Sequence, residues 1–311
     1  MLPIWLPHPD SRPITGLRRR APIAVLLAAV MAAATLVLTS GPGAAPAANV
    51  LVGAGDIGSC TSRGDKATAK LLDDIPGTVF TLGDNAYMDG SAAQFRRCYT
   101  PYWGRHRART RPVLGNHDLR TDGGSPYYDY FGTLAGSRGE GWYSYRVNGW
   151  QVVVLNSACD AVGCAADSPQ GRWLRQTLQE PARCTVAMWH HPLFTSGGKH
   201  AAEQRIRPLY DMLNAHGAEI VLTAHNHNYE RFAPQNGAGE RDDATGIREF
   251  VVGTGGASLY RFAGPAAPNS EIRTDDTYGV LKLTLGESGY EWEFVAPPGS
   301  TFTDTGTGTC H

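Results

Sequence analysis

The chain lacks an excess of charge of either sign. Its 28 basic and 29 acidic residues give a formal net charge of −1. A strong basic excess would mark nucleic acid or an anionic membrane as partner; without one, neither is expected beyond nucleotides as substrates. Charged residues make up only 18% of the chain and there are 37 glycines, which suggests many loops on a compact scaffold. There is no Cys-x-x-Cys pair, so the common zinc and dithiol redox signatures are absent. No internal repeat and no run of proline or charge divides the chain. A long apolar run is also missing. The longest stretch, Ala24 to Leu38, counts 15 residues including Thr35, short of the ~20 a membrane-spanning helix needs. No cysteine follows directly after it, which argues against a lipoprotein anchor.

What is there begins with the flanks of that stretch. Arg18, Arg19 and Arg20 precede it, and Gly41-Pro42-Gly43 and Ala44-Ala45-Pro46-Ala47-Ala48 follow. Charge, a short apolar core and small residues are the layout of a secretory signal. The expectation is a signal peptide and cleavage region over 1–48, with a single catalytic domain over 49–311. The protein is then secreted, by the general or the twin-arginine route, with no stable membrane anchor; an uncleaved anchor is the alternative. All six cysteines lie after the cleavage region. In an exported chain an even count reads as disulfides. Six cysteines allow 15 pairings. The pairing expected is Cys60–Cys98, Cys159–Cys164 and Cys184–Cys310, against the alternative that one pair stays as buried thiols.

The 311 residues, 42% hydrophobic, suffice for one large domain or two small ones. Short β-rich runs recur, each ending in a polar cluster. Asn49–Ala54 ends in Gly55-Asp56-Ile57-Gly58, and Thr78–Leu82 in Gly83-Asp84-Asn85-Ala86-Tyr87. Arg111–Leu114 ends in Gly115-Asn116-His117-Asp118, Gln151–Leu155 in Asn156-Ser157, Cys184–Trp189 in His190-His191-Pro192, and Glu219–Thr223 in Ala224-His225-Asn226-His227. Continuous Val/Ile/Leu runs predict strands buried on both faces. Helices are predicted over Asp65–Asp74, over Gln170–Glu180 after the cap Ser168-Pro169, and over Ala201–His216 with a bend at Pro208. The alternation gives an α/β fold. Four later runs, Ile247–Val252, Ser258–Phe262, Gly279–Leu285 and Tyr290–Val295, predict a second sheet packed on the first.

Ligands of open α/β sheets gather at the carboxyl ends of strands. Five of the clusters there carry metal-ligand types: carboxylates of Asp56 and Asp84, the phenol of Tyr87, the amide of Asn116, and imidazoles of His190, His225 and His227. Mixed oxygen and nitrogen donors suit zinc, iron or manganese better than calcium. The donors are too many for one ion and about enough for two. Two ions ~3.5–4 Å apart can clamp a phosphate and activate water. Singly each motif is weak, because Gly-Asp and Gly-Asn are ordinary turn dipeptides. As an ordered set at strand ends they are specific.

That ordered set, from Gly55 to His227, resembles the calcineurin-like metallophosphoesterases, and Tyr87, three residues after Asp84, makes it similar to the purple acid phosphatase branch. The resemblance implies a four-layer αββα fold of two mixed sheets flanked by helices. It implies a ferric ion on Asp56, Tyr87 and His227. A second ion, Fe(II), Zn or Mn, would take Asn116, His190 and His225, with Asp84 bridging. It further implies hydrolysis of phosphate monoesters by a metal-bound hydroxide, without a phosphoenzyme. His117 is similar to the family's phosphate-contacting histidine and is expected to stabilise the transition state or protonate the leaving group. Asp118 is a candidate to orient it, and His200 resembles a further substrate histidine of plant members. His191 is read as supporting rather than ligating, and His216 as a helix-end residue. Two departures stand out. Ala224 replaces the usual glycine before the His-x-His pair, and no room for the plant members' N-terminal β-sandwich lies before Asp56. Arg231, Gly253 to Gly256 and the aromatic group Tyr127, Tyr128, Tyr130 and Phe131 are further candidates for the pocket wall, with ion pairing or core packing the alternatives. A phosphodiesterase or nucleotidase on the same metals, or a non-catalytic metal- or phosphate-binding surface protein, are the competing functions.

Overall fold

Valine- and leucine-rich strands that are apolar on both faces need a cover on each face. The computed structural model describes residues 49–311; the expected signal segment lies outside the described residues. Along the chain the strands are β1 (Val50–Ala54), β2 (Thr78–Thr81), β3 (Thr110–Arg111), β4 (Tyr143–Val147), β5 (Trp150–Val154), β6 (Thr185–Met188) and β7 (Ile220–Thr223). They continue as β8 (Tyr229–Phe232), β9 (Arg248–Val252), β10 (Ser270–Thr274), β11 (Val280–Leu285), β12 (Gly289–Val295) and β13 (Thr305–Thr309). Two mixed sheets result, in the orders β13-β12-β11-β1-β2-β3 and β10-β8-β9-β7-β6-β5-β4.

The period of two along each strand decides which cover a residue meets. Val152, Val154, Val186, Met188, Ile220 and Leu222 join one apolar cluster with Val52, Ala54, Leu281 and Leu283 of the first sheet. The intervening Val153, Leu155, Ala187, Trp189 and Val221 join a second cluster. There they meet Leu174 and the side chains Leu209, Tyr210 and Leu213 of two helices. Each such fully buried side chain contributes roughly 1.5–3 kcal/mol.

Among the described residues six α-helices lie between the strands, two of them with a side-chain N-cap. They are α1 (Gly64–Asp74), the short α2 (Ala92–Gln94), α3 (Ser125–Phe131), the short α4 (Cys159–Val162), α5 (Pro169–Thr177) and α6 (Arg207–Ala215). α1 buries Thr68, Ala69 and Leu72 on one face and ends before Pro76-Gly77. Ser168 caps α5 by accepting from the N–H of Gly171, with Pro169 at its first position. Helices flanking two mixed sheets give the α/β architecture expected.

Four expectations are corrected. The later runs do not make a sheet of their own: β9 pairs parallel with β7, whereas β11 pairs antiparallel with β1 and carries β12. Ser258–Phe262 forms no strand; its backbone is spent on the site described below. The run at Arg111–Leu114 ladders only through Thr110–Arg111, because Pro112 has no N–H to donate. The helix expected over Ala201–His216 starts late. A 3₁₀ turn at Gln204–Ile206 leads into α6, and Pro208 sits in its first turn, where its missing N–H costs nothing. The aromatic group is core: Tyr127, Tyr128 and Phe131 are buried. Three disulfides join Cys60–Cys98, Cys159–Cys164 and Cys184–Cys310, as expected.

Candidate metal centre

β1 runs parallel with β2, and β5, β6 and β7 run parallel with one another; the carboxyl ends of β1, β2, β6 and β7 deliver Asp56, Asp84, His190 and the His225–His227 segment to one place. Asp56, Asp84 and His225 hold left-handed backbones, with φ of 58°, 52° and 68°. Such conformations are costly for non-glycine residues and persist where surrounding structure enforces them. Here the enforcement is visible. The carboxylate of Asp56 accepts from the N–H of His225 at 2.8 Å, and that of Asp84 from the N–H of His117 at 2.7 Å. Close approach explains two small residues. A side chain at Gly115 would overlap the Asp84 carboxylate. A methyl on Gly55 would stand 2.5 Å from the Cβ of Ala224, so Ala224 fills the gap that Gly55 leaves.

The seven predicted donors come together in two lobes. In one, the Tyr87 hydroxyl lies 2.6 Å from Asp56 Oδ1, 2.9 Å from Asp84 Oδ2 and 3.0 Å from His227 Nε2. In the other, His190 Nε2 lies 3.1 Å from Asn116 Oδ1 and 3.1 Å from His225 Nδ1. Asp84 Oδ2 belongs to both, being also 3.5 Å from His190 Nε2.

Two backbone carbonyls fix how the histidine rings face this cluster. His190 Nδ1 is 2.7 Å from the Leu82 carbonyl and His227 Nδ1 is 2.7 Å from the Ser258 carbonyl. A carbonyl only accepts, so both Nδ1 atoms carry hydrogen, and Nε2 is the nitrogen that each ring turns into the cluster. There the two Nε2 atoms stand among carboxylate, amide, imidazole and phenol groups. Asp56, Asp84 and His190 are wholly or almost wholly buried. Buried carboxylates, imidazoles, a phenol and an amide gathered in one dry place are a donor set that fits metal ions. The titrations carry the same strain. Burial alone would raise Asp84, but the charges of His190 and His117 outweigh it and hold Asp84 far below the carboxylate range. Burial disfavours charged His190, yet Asp84 lifts it to about 9. Burial, then the His190 charge, pushes His225 well down. Burial and the two carboxylates push the Tyr87 phenol up; a cation in their midst would pull it down.

A family model for calcineurin-like phosphoesterases matches residues 51–229. The chain belongs to this family. Among curated relatives it is 24% identical over 214 residues to purple acid phosphatase 15 of Arabidopsis thaliana, covering 57% of this chain and 40% of that protein. It is 27% identical over 249 residues to purple acid phosphatase 21 of the same plant, covering 70% and 54%. Among solved structures, a purple acid phosphatase from yellow lupin seeds superposes with a TM-score of 0.69 at 21% identity, over 84% of this chain and 53% of that one. The chain thus spans about half the length of these relatives. Calcineurin-like phosphoesterases of the purple acid phosphatase kind are metal-dependent, and this chain carries an Asp/His cluster suited to two ions.

Around this phosphoesterase centre the remaining candidates fall in different places. His117 Nε2 is 3.7 Å from Asp84 Oδ2, and its Nδ1 meets the Met88 carbonyl at 2.6 Å. Asp118 does not orient that ring. Its buried carboxylate turns inward, accepting from the N–H of Gly115 at 3.0 Å and from the Asn85 side chain at 2.9 Å. Asp118 therefore clamps the second and third ligand loops together, and burial, reinforced by the Asp84 charge, raises it to about 7. His200 stacks on His225, with ring centroids 4.1 Å apart. His191 lies against His225 as well, and its Nδ1 is 2.8 Å from Ser157 Oγ. Burial and the His190 charge lower it to about 3. Arg231 is not at the site: it grips Asp304 at 2.8 and 3.0 Å and also pairs with Glu271.

Sequence reading missed the alternation His225-Asn226-His227-Asn228-Tyr229-Glu230. The odd positions supply ligands and core. The even ones hold the Thr195–His200 loop. Asn226 Oδ1 accepts from the N–H groups of Lys199 (3.3 Å) and His200 (3.0 Å). Asn228 Nδ2 donates to the Gly197 carbonyl at 3.0 Å, and Glu230 accepts from the N–H and hydroxyl of Ser196. The period of two was legible; the partner loop was not. Tyr260 was missed too. Its ring stacks on His227 at 3.8 Å and 11°.

Proposed function

We propose that this dinuclear-metal phosphoesterase hydrolyses phosphate monoesters outside the cell. The observation that carries the reading is the pair of donor lobes sharing Asp84. In this reading Asp56, Tyr87 and His227 would hold a ferric ion, Asn116, His190 and His225 would hold Fe(II), Zn or Mn, and Asp84 would serve both. A phenolate is a hard donor, which favours ferric iron on the Tyr87 side. Bound there, two cations supply positive charge to the phosphate and acidify water. The chain's own residues do the rest. Leu82 and Ser258 fix the histidine tautomers. The Met88 carbonyl accepts a hydrogen bond from Nδ1–H of His117, so that in the imidazolium form Nε2–H is free for the leaving oxygen. In the overall hydrolysis a water oxygen bonds to phosphorus, the ester P–O bond breaks, and the leaving alcohol gains a proton. His200 lines the same cleft beside His225.

Secretion is supported by the three disulfides, which belong to an oxidising compartment. No helix among the described residues is long and apolar enough to cross a membrane.

The test sets 4-nitrophenyl phosphate against bis(4-nitrophenyl) phosphate on metal-loaded protein. The monoester is expected to be preferred by roughly tenfold or more in kcat/KM, about 1.4 kcal/mol of transition-state discrimination; a diester preference sinks the monoester assignment. On the ferric side, the oxidised protein is expected to absorb visible light and Tyr87→Phe to lose that band. A colourless iron-loaded wild type refutes the Tyr87 assignment.

A further inference from the structure

Two cations flank the centre. Lys199 and Arg120 are both exposed, and neither forms an ion pair among the described residues. Each is nonetheless held in place at its base. Asn226, Asn228 and Glu230 pin the backbone of the loop that carries Lys199. The Lys199 ammonium lies 5.0 Å from the centroid of the Tyr260 ring, which itself stacks on His227. On the other side, Arg120 donates to the Met88 carbonyl at 3.2 Å, the same oxygen that takes His117 Nδ1. One cation thus stands by the His200 and His227 side of the cleft and one by the His117 side.

The scissile phosphate is already provided for by the metal ligands and His117. Two further positive groups at the rim of the centre meet no internal anion among the described residues. We propose that Lys199 and Arg120 form a cationic rim that selects phosphate esters whose leaving group carries a second anionic group, carboxylate or phosphate, over esters of neutral alcohols. The proposal rests on the phosphoesterase reading above. Exposed charge pairs are individually modest, and charge-assisted hydrogen bonds are stronger. The expected gain is therefore about three- to tenfold per residue.

The test compares 2-phosphoglycerate with glycerol 2-phosphate, two esters of one carbon skeleton that differ by a carboxylate. The metal-loaded full chain is assayed as wild type, Lys199→Met and Arg120→Met. Each variant should lose about three- to tenfold in kcat/KM on 2-phosphoglycerate and less than about twofold on glycerol 2-phosphate. The wild-type preference should shrink as salt rises. A readout free of turnover is calorimetric affinity: both variants should bind inorganic pyrophosphate more weakly and orthophosphate as before. Equal losses on both esters, or none on either, overturn the rim while leaving the phosphoesterase intact. A wild type inert on every ester overturns the phosphoesterase reading itself and the rim with it.

Discussion

At the scale of residues, polar groups are buried here for two different reasons. The carboxylates of Asp56 and Asp84 lie in the donor cluster and fit cations. Glu249 is as deeply buried but sits away from that centre, accepting from the Leu193 N–H at 3.2 Å and the Thr223 hydroxyl at 3.1 Å. Burial pushes its carboxyl from an ordinary 4.5 to about 8. A folded-state pKa above the unfolded one means that the fold prefers the protonated form. That contribution to stability is complete below the unfolded carboxyl pKa and declines as pH rises toward and through about 8. Denaturant titrations from pH 5 to 9 should show a steeper alkaline loss in wild type than in Glu249→Gln, which cannot ionise. Parallel curves would mean that Glu249 does not titrate in this range. Asp118 shows the other lesson of this scale. Its place after His117 suggested a partner for that ring, yet its carboxylate found backbone donors on Gly115 and Asn85. Sequence adjacency fixes a residue type near a site, not the direction in which it points.

At the scale of elements, the disulfides close very different loops. Cys184–Cys310 spans 126 residues and ties the chain end to β6, whereas Cys159–Cys164 spans 5. Loop-closure entropy ranks them: the long loop is worth about 4–5 kcal/mol and the short one about 2. Replacing Cys184 and Cys310 together by serine should therefore lower the unfolding free energy about twice as far as replacing Cys159 and Cys164. Chemical denaturation under non-reducing conditions measures both, and an inverted ranking would show that native-state contacts, not chain entropy, dominate. The elements were unevenly legible. The buried parallel strands β1, β2, β5, β6 and β7 announce themselves by Val/Leu runs. β13 does not: Thr305-Gly306-Thr307-Gly308-Thr309 has poor strand propensity and pairs because β12 offers an edge. Ser258–Phe262 has the opposite history, with strand-like residues whose Ser258 carbonyl and Tyr260 N–H are used by His227 instead of a ladder.

At the scale of the whole molecule, two sheets aim their strand ends at one cleft, so the centre is assembled from parts that metal ions would hold together. Ions that bind only the folded form stabilise it by mass action, about 2.7 kcal/mol at a hundredfold excess over Kd. For a chain of this size that corresponds to roughly 5–10 °C in Tm. Chelation should lower Tm by about that much and reloading should restore it, by scanning calorimetry. Asp84→Asn should blunt the response to both ions at once, since Asp84 Oδ2 lies beside Tyr87 of one lobe and His190 of the other. A full metal-dependent shift in that variant would refute a bridging carboxylate.

The sequence by itself determined the α/β pattern, the order of the ligand motifs and the residue types that could bind metal. Those are properties of short segments, written in hydrophobic periodicity and local chemistry. Only the tertiary structure decided that Asp84 belongs to both lobes, that Leu82 and Ser258 set the imidazole tautomers, and that Asn226, Asn228 and Glu230 hold the loop bearing Lys199 and His200. It also spent Arg231 on Asp304 and Glu271 rather than on the cleft, and divided the late strands between two sheets. Each of those outcomes is a contact between segments distant in sequence, and such contacts depend on packing that no local pattern records.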